Sequence, residues 1–479
     1  MNSTLIKKTL SRFFSMILIY SFVFVNVAQA QGRGLSLIRD AEIEQIIRDI
    51  TEPIFEAAEL DKDAVKTYLL NDNTINAFVM GGQNVFINTG LLLEASKVNQ
   101  VMGVIAHETG HITGGHLSRM DAGMSQMMSY SLLGVLLGLG AMAAGSAEAG
   151  MALMMGGQQV GYRSLLKFTR TQESSADQAA IKFLEKAGIS GTGLLEFFEI
   201  LGDQELVPER YQDPYASTHP MNSIRITRLQ DQVAESQFAD SQTDPILEEK
   251  FRLLQAKLFG YLKAFHATMV KYPKKDKSSI ARYARTFAYQ KDHKTEEALL
   301  EINSLIEETP TNPFYYETKA QILFEDGRVI ESLEPYKNAV KNLPNSALLR
   351  MSYAQAMISS DDDQYLAEAI ENLEVSLRID PINSFGWKQA SIAYHRSNNP
   401  ALTHYSTAQH FLMSGDLRGA MINAQKAAQL LPKNTPRWIK AQDILITTQS
   451  NMSDRQRTQQ EKQQKEDTER RQKERNKTR

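Results

Sequence analysis

Apolar positions along the chain change period several times. From about Leu35 to Leu60, residues Leu37, Ile38, Ile43, Ile46, Ile47 and Ile50 recur mostly three or four apart, the spacing of a helix with one buried face. Thr74 to Met80 and Asn84 to Asn88 are β-prone runs flanking Gly81-Gly82-Gln83, which predicts a hairpin with one strand at an exposed edge. From Leu91 the pattern is helical, and Val101, Val104 and Ile105 lead into a group of polar residues. Between Met127 and Met155 the only charge is Glu148, and the uncharged core Leu132 to Ala144 holds Gly134, Gly138 and Gly140. That core is shorter than the roughly 20 residues needed to cross a bilayer. Helices covering the domain's polar site are therefore expected here, with shallow membrane contact as the alternative reading and no span.

Beyond about Asp244 the chain reads as helical throughout and begins to repeat. Pro310, Pro344, Pro381 and Pro432 each close a helix pair, three of them as Pro310-Thr-Asn312, Pro381-Ile-Asn383 and Pro432-Lys-Asn434. Pro310 and Pro344 are 34 residues apart, the period of a tetratricopeptide repeat. Counted back from Pro344, the small residues Ala320, Gly327, Ser332 and Ala339 fall where paired helices approach closely. The same offsets before Pro432 give Ala408, Gly415, Ala420 and Ala427. Asp361-Asp362-Asp363 accounts for the three extra residues between Pro344 and Pro381.

The ends differ from the middle. Lys7, Lys8 and Arg12, the apolar run Phe13 to Val27 and Ala28-Gln29-Ala30 form the pattern of a secretory signal peptide, with cleavage expected after Ala30. From Asp454 to Arg479 ten Lys or Arg and six Asp or Glu leave almost nothing apolar to bury, so a disordered tail or a solvated helix is expected. The sequence thus predicts a mainly α chain: signal peptide 1–30, an α+β domain with a small β-hairpin or sheet at 31–243, an α-solenoid of tetratricopeptide repeats at 244–449, and a charged tail at 450–479.

Composition narrows the chemistry. With 479 residues, two substantial cores are within reach. Apolar residues at 42% and charged residues at 23% are ordinary for globular domains. A net charge of -3 with dispersed cations argues against a nucleic-acid partner. The absence of cysteine excludes disulfides, thiol nucleophiles, thiolate metal sites and a lipidated cysteine, so any metal must sit on His and carboxylates.

His107-Glu108-Thr109-Gly110-His111 supplies such ligands. Positions i and i+4 of a helix project about 40° apart, so both imidazoles reach one ion with Glu108 beside it. Zinc held by imidazoles acidifies a water whose proton an adjacent carboxylate can take as the water attacks a carbonyl. Two candidates offer the third ligand. His116 lies five residues after His111 where the long three-histidine pattern requires six, and Leu117 stands in that place; a continuing helix would turn it away, although Gly114-Gly115 interrupts the pattern. Glu173 is the better candidate, with Asp177 one turn on to hydrogen-bond the far nitrogen of a ligand imidazole.

His107-Glu108-x-x-His111 followed by Glu173-x-x-x-Asp177, with Asn76-Ala77-Phe78 ahead and Thr218-His219-Pro220 behind, resembles the M48 metallopeptidases, a gluzincin family, over roughly residues 35–235. With signal peptide and repeats added, the whole chain resembles the periplasmic, repeat-bearing members of that family. The resemblance implies one zinc at His107, His111 and Glu173, Glu108 as general base and acid, and Asp177 behind the ligands. It implies that Asn76, Ala77, Phe78 and Val79 pair with extended substrate by strand addition. His219 and Arg225 would lie near the metal and stabilise the oxyanion, or His219 would occupy the fourth metal position and hold the enzyme latent. The substrates implied are misfolded or stalled outer-membrane β-barrel proteins in the periplasm. The partner implied for the repeats is the barrel-assembly machinery, with attachment peripheral to the outer membrane. The competing reading is a non-proteolytic chaperone or adaptor with a structural or latent zinc site, but a purely structural site has no use for Glu108.

Overall fold

A computed structural model describes residues 36–61, 64–143, 146–202, 215, 219 and 223–451. The signal peptide expected at 1–30, Thr218, Pro220 and most of the charged tail lie outside these residues. The chain divides into two compact units, one formed by residues up to 38 and 50–243 and the other by residues 39–49 and 244 onward.

The first unit holds a four-stranded sheet of β1 (Leu37–Ile38), β2 (Lys66–Leu70), β3 (Ala77–Met80) and β4 (Asn84–Asn88), in the order β1-β2-β4-β3. The hairpin is where the sequence places it, with β3 and β4 antiparallel across Gly81 and Gly82. Both glycines take positive φ (63° and 98°), which an L side chain would resist. Strand β3 lies at the edge. Leu37 and Ile38 correct the expected helix: they pair antiparallel with Leu70 and Leu69. Helix α1 (Ala41–Ala57) starts only after Asp40, whose carboxylate accepts a hydrogen bond from the Ile43 amide at 2.9 Å.

Five further helices bear on the polar site: α2 (Thr89–Glu94), α3 (Val98–Thr113), α4 (His116–Ala143), α5 (Ala147–Lys186) and α6 (Thr192–Gly202), followed by α7 (Ser223–Glu235). Helix α3 is the centre of this unit, buried from Val98 to Gly110. A Cβ on Gly103 would stand 2.6 Å from the Leu194 amide of α6, and one on Gly110 would stand 2.7 Å from the Ala176 carbonyl of α5. Both glycines are what lets those helices come so near. Helices α4 and α5 form a long hairpin. The expectation that this segment covers the site is not met, because Leu132, Leu133, Leu136 and Leu137 are all more than half exposed.

The second unit is helical from Pro245–Leu262 through Leu417–Leu430 and on to residue 451, and it is the expected solenoid of tetratricopeptide repeats. Ala320, Ser332, Ala339, Ala408, Ala420 and Ala427 are fully buried, as helix pairing at the repeat offsets requires. Gly327 and Gly415 serve a different need from the expected close approach. They stand in turns at φ near 80° with no atom within 4 Å of a Cβ position, so conformation alone selects glycine. Asn312 and Asn383 cap the next helices, accepting from the Phe314 and Gly386 amides at 2.9 Å. The inserted Asp361 to Asp363 continue into a short 3-10 turn, Asp363–Tyr365.

Candidate metal centre

The contact at Gly110 sets α5 against α3 one turn from both histidines. Glu173 and Asp177, on one face of α5, therefore meet His107 and His111. His107 Nδ1 stands 3.0 Å from Asp177 Oδ1, while its Nε2 stands 3.1 Å from His111 Nε2, 3.4 Å from Glu173 Oε2 and 3.3 Å from His219 Nδ1. Glu173 Oε1 is 3.5 Å from His111 Nε2, and Glu173 Oε2 is 3.2 Å from His219 Nδ1. Ligand atoms of His107, His111, Glu173 and His219 all lie within 4.8 Å of one another.

This arrangement fits a dication. Asp177 faces His107 Nδ1, which leaves Nε2 as the nitrogen turned inward; three imidazole nitrogens and a carboxylate then converge on one point. Donors at zinc's usual bond length of about 2.0–2.1 Å from a tetrahedral centre lie about 3.3–3.4 Å apart. The observed spacings of 3.1 to 3.5 Å bracket that value.

Burial sets the protonation. It opposes charge on His107, but Asp177 and Glu173 outweigh it and push that imidazole up to about 9. Burial and the His107 charge push His111 down to about 2. Burial also works against the Glu173 carboxylate, yet contacts with His107 and His219 hold it well below the usual carboxylate range. Glu108 goes the other way, raised chiefly by burial, and its Oε1 lies 3.5 Å from His219 Nε2. A carboxylate raised in this way is a better proton acceptor near neutrality.

Arg225 packs against both carboxylates. Its Nε and Nη2 donate to Asp177 at 2.7 and 2.8 Å, its Nη1 lies 3.2 Å from Glu173, and its guanidinium sits 5.2 Å from the Phe198 ring centre. These contacts brace the two carboxylates. Asn76 is buried just ahead of β3, and β3 itself packs beside α3.

One neighbour escaped the sequence reading. The Tyr215 ring stacks on His219 with centroids 4.4 Å apart, and its carbonyl accepts from the His219 amide at 2.8 Å; the four-residue spacing was the available signal. His116 does not reach the ligand cluster. Because Gly115 takes φ of 61° and ends the helix, His116 folds back and its Nδ1 stands 2.9 Å from His111 Nδ1.

Residues 38–233 match peptidase family M48. The chain is 24% identical to the beta-barrel assembly-enhancing protease of Escherichia coli K12 over 405 residues, covering 82% of this chain and 80% of that one. The putative beta-barrel assembly-enhancing protease of Vibrio cholerae matches at 24% over 404 residues, with the same coverage. Metalloprotease YcaL of Escherichia coli K12 is 32% identical over 174 residues, 35% of this chain and 61% of that one. The buried zinc-type donor set lies inside the segment that matches peptidase family M48, and the chain is a zinc metalloendopeptidase.

Proposed function

We propose that this chain is a periplasmic endopeptidase for misassembled outer-membrane β-barrel proteins, with His107, His111 and Glu173 as its zinc ligands and His219 as a fourth, inhibitory ligand. The relatives that match over four-fifths of the chain are known or putative beta-barrel assembly-enhancing proteases, which supports the substrate class. The observation that carries the site is the convergence of His107, His111, Glu173 and His219 beside Glu108. Zinc, when bound, polarises the scissile carbonyl and acidifies the attacking water. Glu108 takes the water's proton and returns it to the leaving amine, a cycle suited to a carboxylate whose affinity for protons burial has raised. Asp177 holds the His107 tautomer, and Arg225 holds Asp177 and Glu173 in place.

Substrate enters as a strand. Edge strand β3 leaves backbone groups for an extended chain to pair with, so selection falls on conformation more than on sequence, and unfolded chains supply that conformation. The repeats offer a surface for partner segments of the assembly machinery. His219 occupies the place where water must bind, so cleavage waits on its withdrawal.

The test is cleavage of an unfolded outer-membrane protein by the purified chain and two variants. Glu108→Gln should keep zinc and lose about 10²–10⁴-fold in rate, whereas His219→Ala should cleave faster than the parent. Slower cleavage by His219→Ala overturns the latency. Undiminished cleavage by Glu108→Gln overturns the base, and silence of all three moves the reading to a chaperone.

A further inference from the structure

Helices α4 and α5 leave the metal centre as a hairpin whose chemistry reverses along its length. Asp177, Glu173 and His116 stand at its base, yet from Ala122 to Tyr162 the sole charge is Glu148. The seam between the helices is closed by glycine: a Cβ on Gly134 would stand 2.5 Å from the Gly157 Cα, and one on Gly138 would stand 2.6 Å from the Gly150 carbonyl. Met142 and Met154 lie against the seam glycines, while the leucines point outward. Leu132, Leu136 and Met155 are 59%, 58% and 67% exposed.

At 100° per residue, Leu139, Leu132, Leu136, Leu133 and Leu137 cover an arc of about 160° on α4, with Gly134 and Gly138 on the opposite side. A protein groove takes one narrow stripe of a helix. An exposed apolar arc this wide, with small residues spaced four apart at the contact, is the arrangement that suits hydrocarbon on the outer face.

The base of the hairpin selects the same occupant. Arg163, Lys167 and Arg170 lie three or four residues apart on α5 and Arg119 lies on α4; all four are exposed, Asp121 is the one acid between Arg119 and Tyr130, and no acid lies between Tyr162 and Arg170. Tyr130 and Tyr162 are exposed where the apolar section begins. Cations and tyrosines bordering an apolar section match anionic headgroups and the bilayer interface. From Arg163 to the helix start at Ala147 is 16 residues, about 24 Å at 1.5 Å each. One leaflet is about 15 Å of hydrocarbon and about 20–22 Å with its headgroups. Among the described residues, His116–Leu139 alone qualifies by length and composition as a crossing helix, but the hairpin returns after one leaflet.

We infer that the α4–α5 hairpin inserts into a single leaflet of an anionic phospholipid membrane up to the level of Tyr130, Tyr162 and Arg163. Glu173 follows Arg163 by ten residues, so the hairpin carries the metal centre about 15 Å from the lipid surface. Segments emerging from the bilayer then meet the site before they can fold.

Vesicle flotation tests this with the chain from Gln31 onward, which removes the separate apolar run at residues 13–27. Vesicles of phosphatidylethanolamine with phosphatidylglycerol should carry the protein to the top of the gradient, and phosphatidylcholine vesicles should carry less of it at low salt. The double variant Leu132→Lys/Leu136→Lys should stay at the bottom while keeping its zinc and its cleavage of a soluble unfolded substrate. Glu148→Gln, which removes the only charge that has to enter the leaflet, should bind about tenfold more tightly or better. The inference is overturned if the parent chain does not float or if the double lysine variant floats equally well. It is also overturned if the chain is a dimer that the lysines dissolve without any vesicle binding, which would make a second copy the occupant.

Discussion

Each unit of this protein buries a cluster of charged and polar groups, and the two clusters balance their charge differently. In the second unit Lys257 stands 2.7 Å from Asp40 and 3.1 Å from Glu42; Tyr283 donates to Glu42, and Glu317 completes the group. Burial opposes charge on Lys257, but Asp40 and Glu42 hold it protonated. Burial also pushes Glu317 up to about 8, so that carboxyl keeps its proton at neutral pH. An ammonium and a proton offset two of the three carboxylates. In the first unit, Arg225 answers Asp177 and part of Glu173, while among the described residues the inward nitrogens of His107, His111 and His219 face one another and Glu173. A site for chemistry is recognised by the charge it lacks, and burial alone does not make that distinction.

The largest effect expected from this contrast is in the second unit's cluster. Lys257→Met leaves Asp40 and Glu42 buried without their cation, a loss of about 3–5 kcal/mol when one partner of a buried pair is removed. Urea unfolding should show that loss in the repeat unit, and the parent's unfolding of that unit should be the same with or without a chelator. If chelation moved the parent's curve there, the second cluster would be a metal site as well and the contrast would be lost.

Next in size is Asp177→Asn, which keeps the shape but removes the charge that fixes the His107 tautomer. Zinc affinity should fall about 10–100-fold, as when other partners standing behind metal ligands are replaced. Excess zinc should return most of the cleavage rate, because Glu108 and the ligand atoms are untouched. A variant with unchanged zinc affinity would show that Asp177 serves Arg225 and the helix packing instead of the metal.

The sequence makes one of these clusters far easier to read than the other. HETGH and the pair Glu173 and Asp177 are legible because helical i, i+4 spacing fixes both partners within five residues. Lys257 and Asp40 stand 217 positions apart, and a lysine on a helix resembles any solvated lysine until the fold buries it. The same limit hid β2, whose run Lys-Thr-Tyr-Leu-Leu does not alternate and whose partner β4 is parallel, without a connecting turn. Leu37 and Ile38 fit a helical period by spacing alone, and only pairing with Leu70 and Leu69 made them a strand. The repeats were legible because small residues at fixed offsets are a packing requirement, and Asn312 and Asn383 caps recur with them. The hairpin's apolar run was visible as well, but hydrophobicity does not say whether a helix faces a core or the outside.

The smallest effect sharpens the contrast through pH. Glu317 has its Oε2 buried without a hydrogen-bond partner among the described residues, and its folded value of about 8 stands above the ordinary 4.5. A raised folded value means that the folded chain holds the proton more tightly than the unfolded chain does. The stability linked to that proton is therefore fully present below about pH 4.5 and is lost as pH rises towards and through about 8. The slope cannot exceed about 1.4 kcal/mol per pH unit, the limit for one proton. Glu317→Gln carries no such proton, so its stability should fall less than the parent's between pH 5.5 and 8.5, and the two urea midpoints should draw apart across that range. Parallel curves would mean that Glu317 is ionised in the folded repeat unit and that Lys257 alone balances three carboxylates. The second cluster would then carry one more negative charge, and it would resemble the metal centre more than its burial suggests.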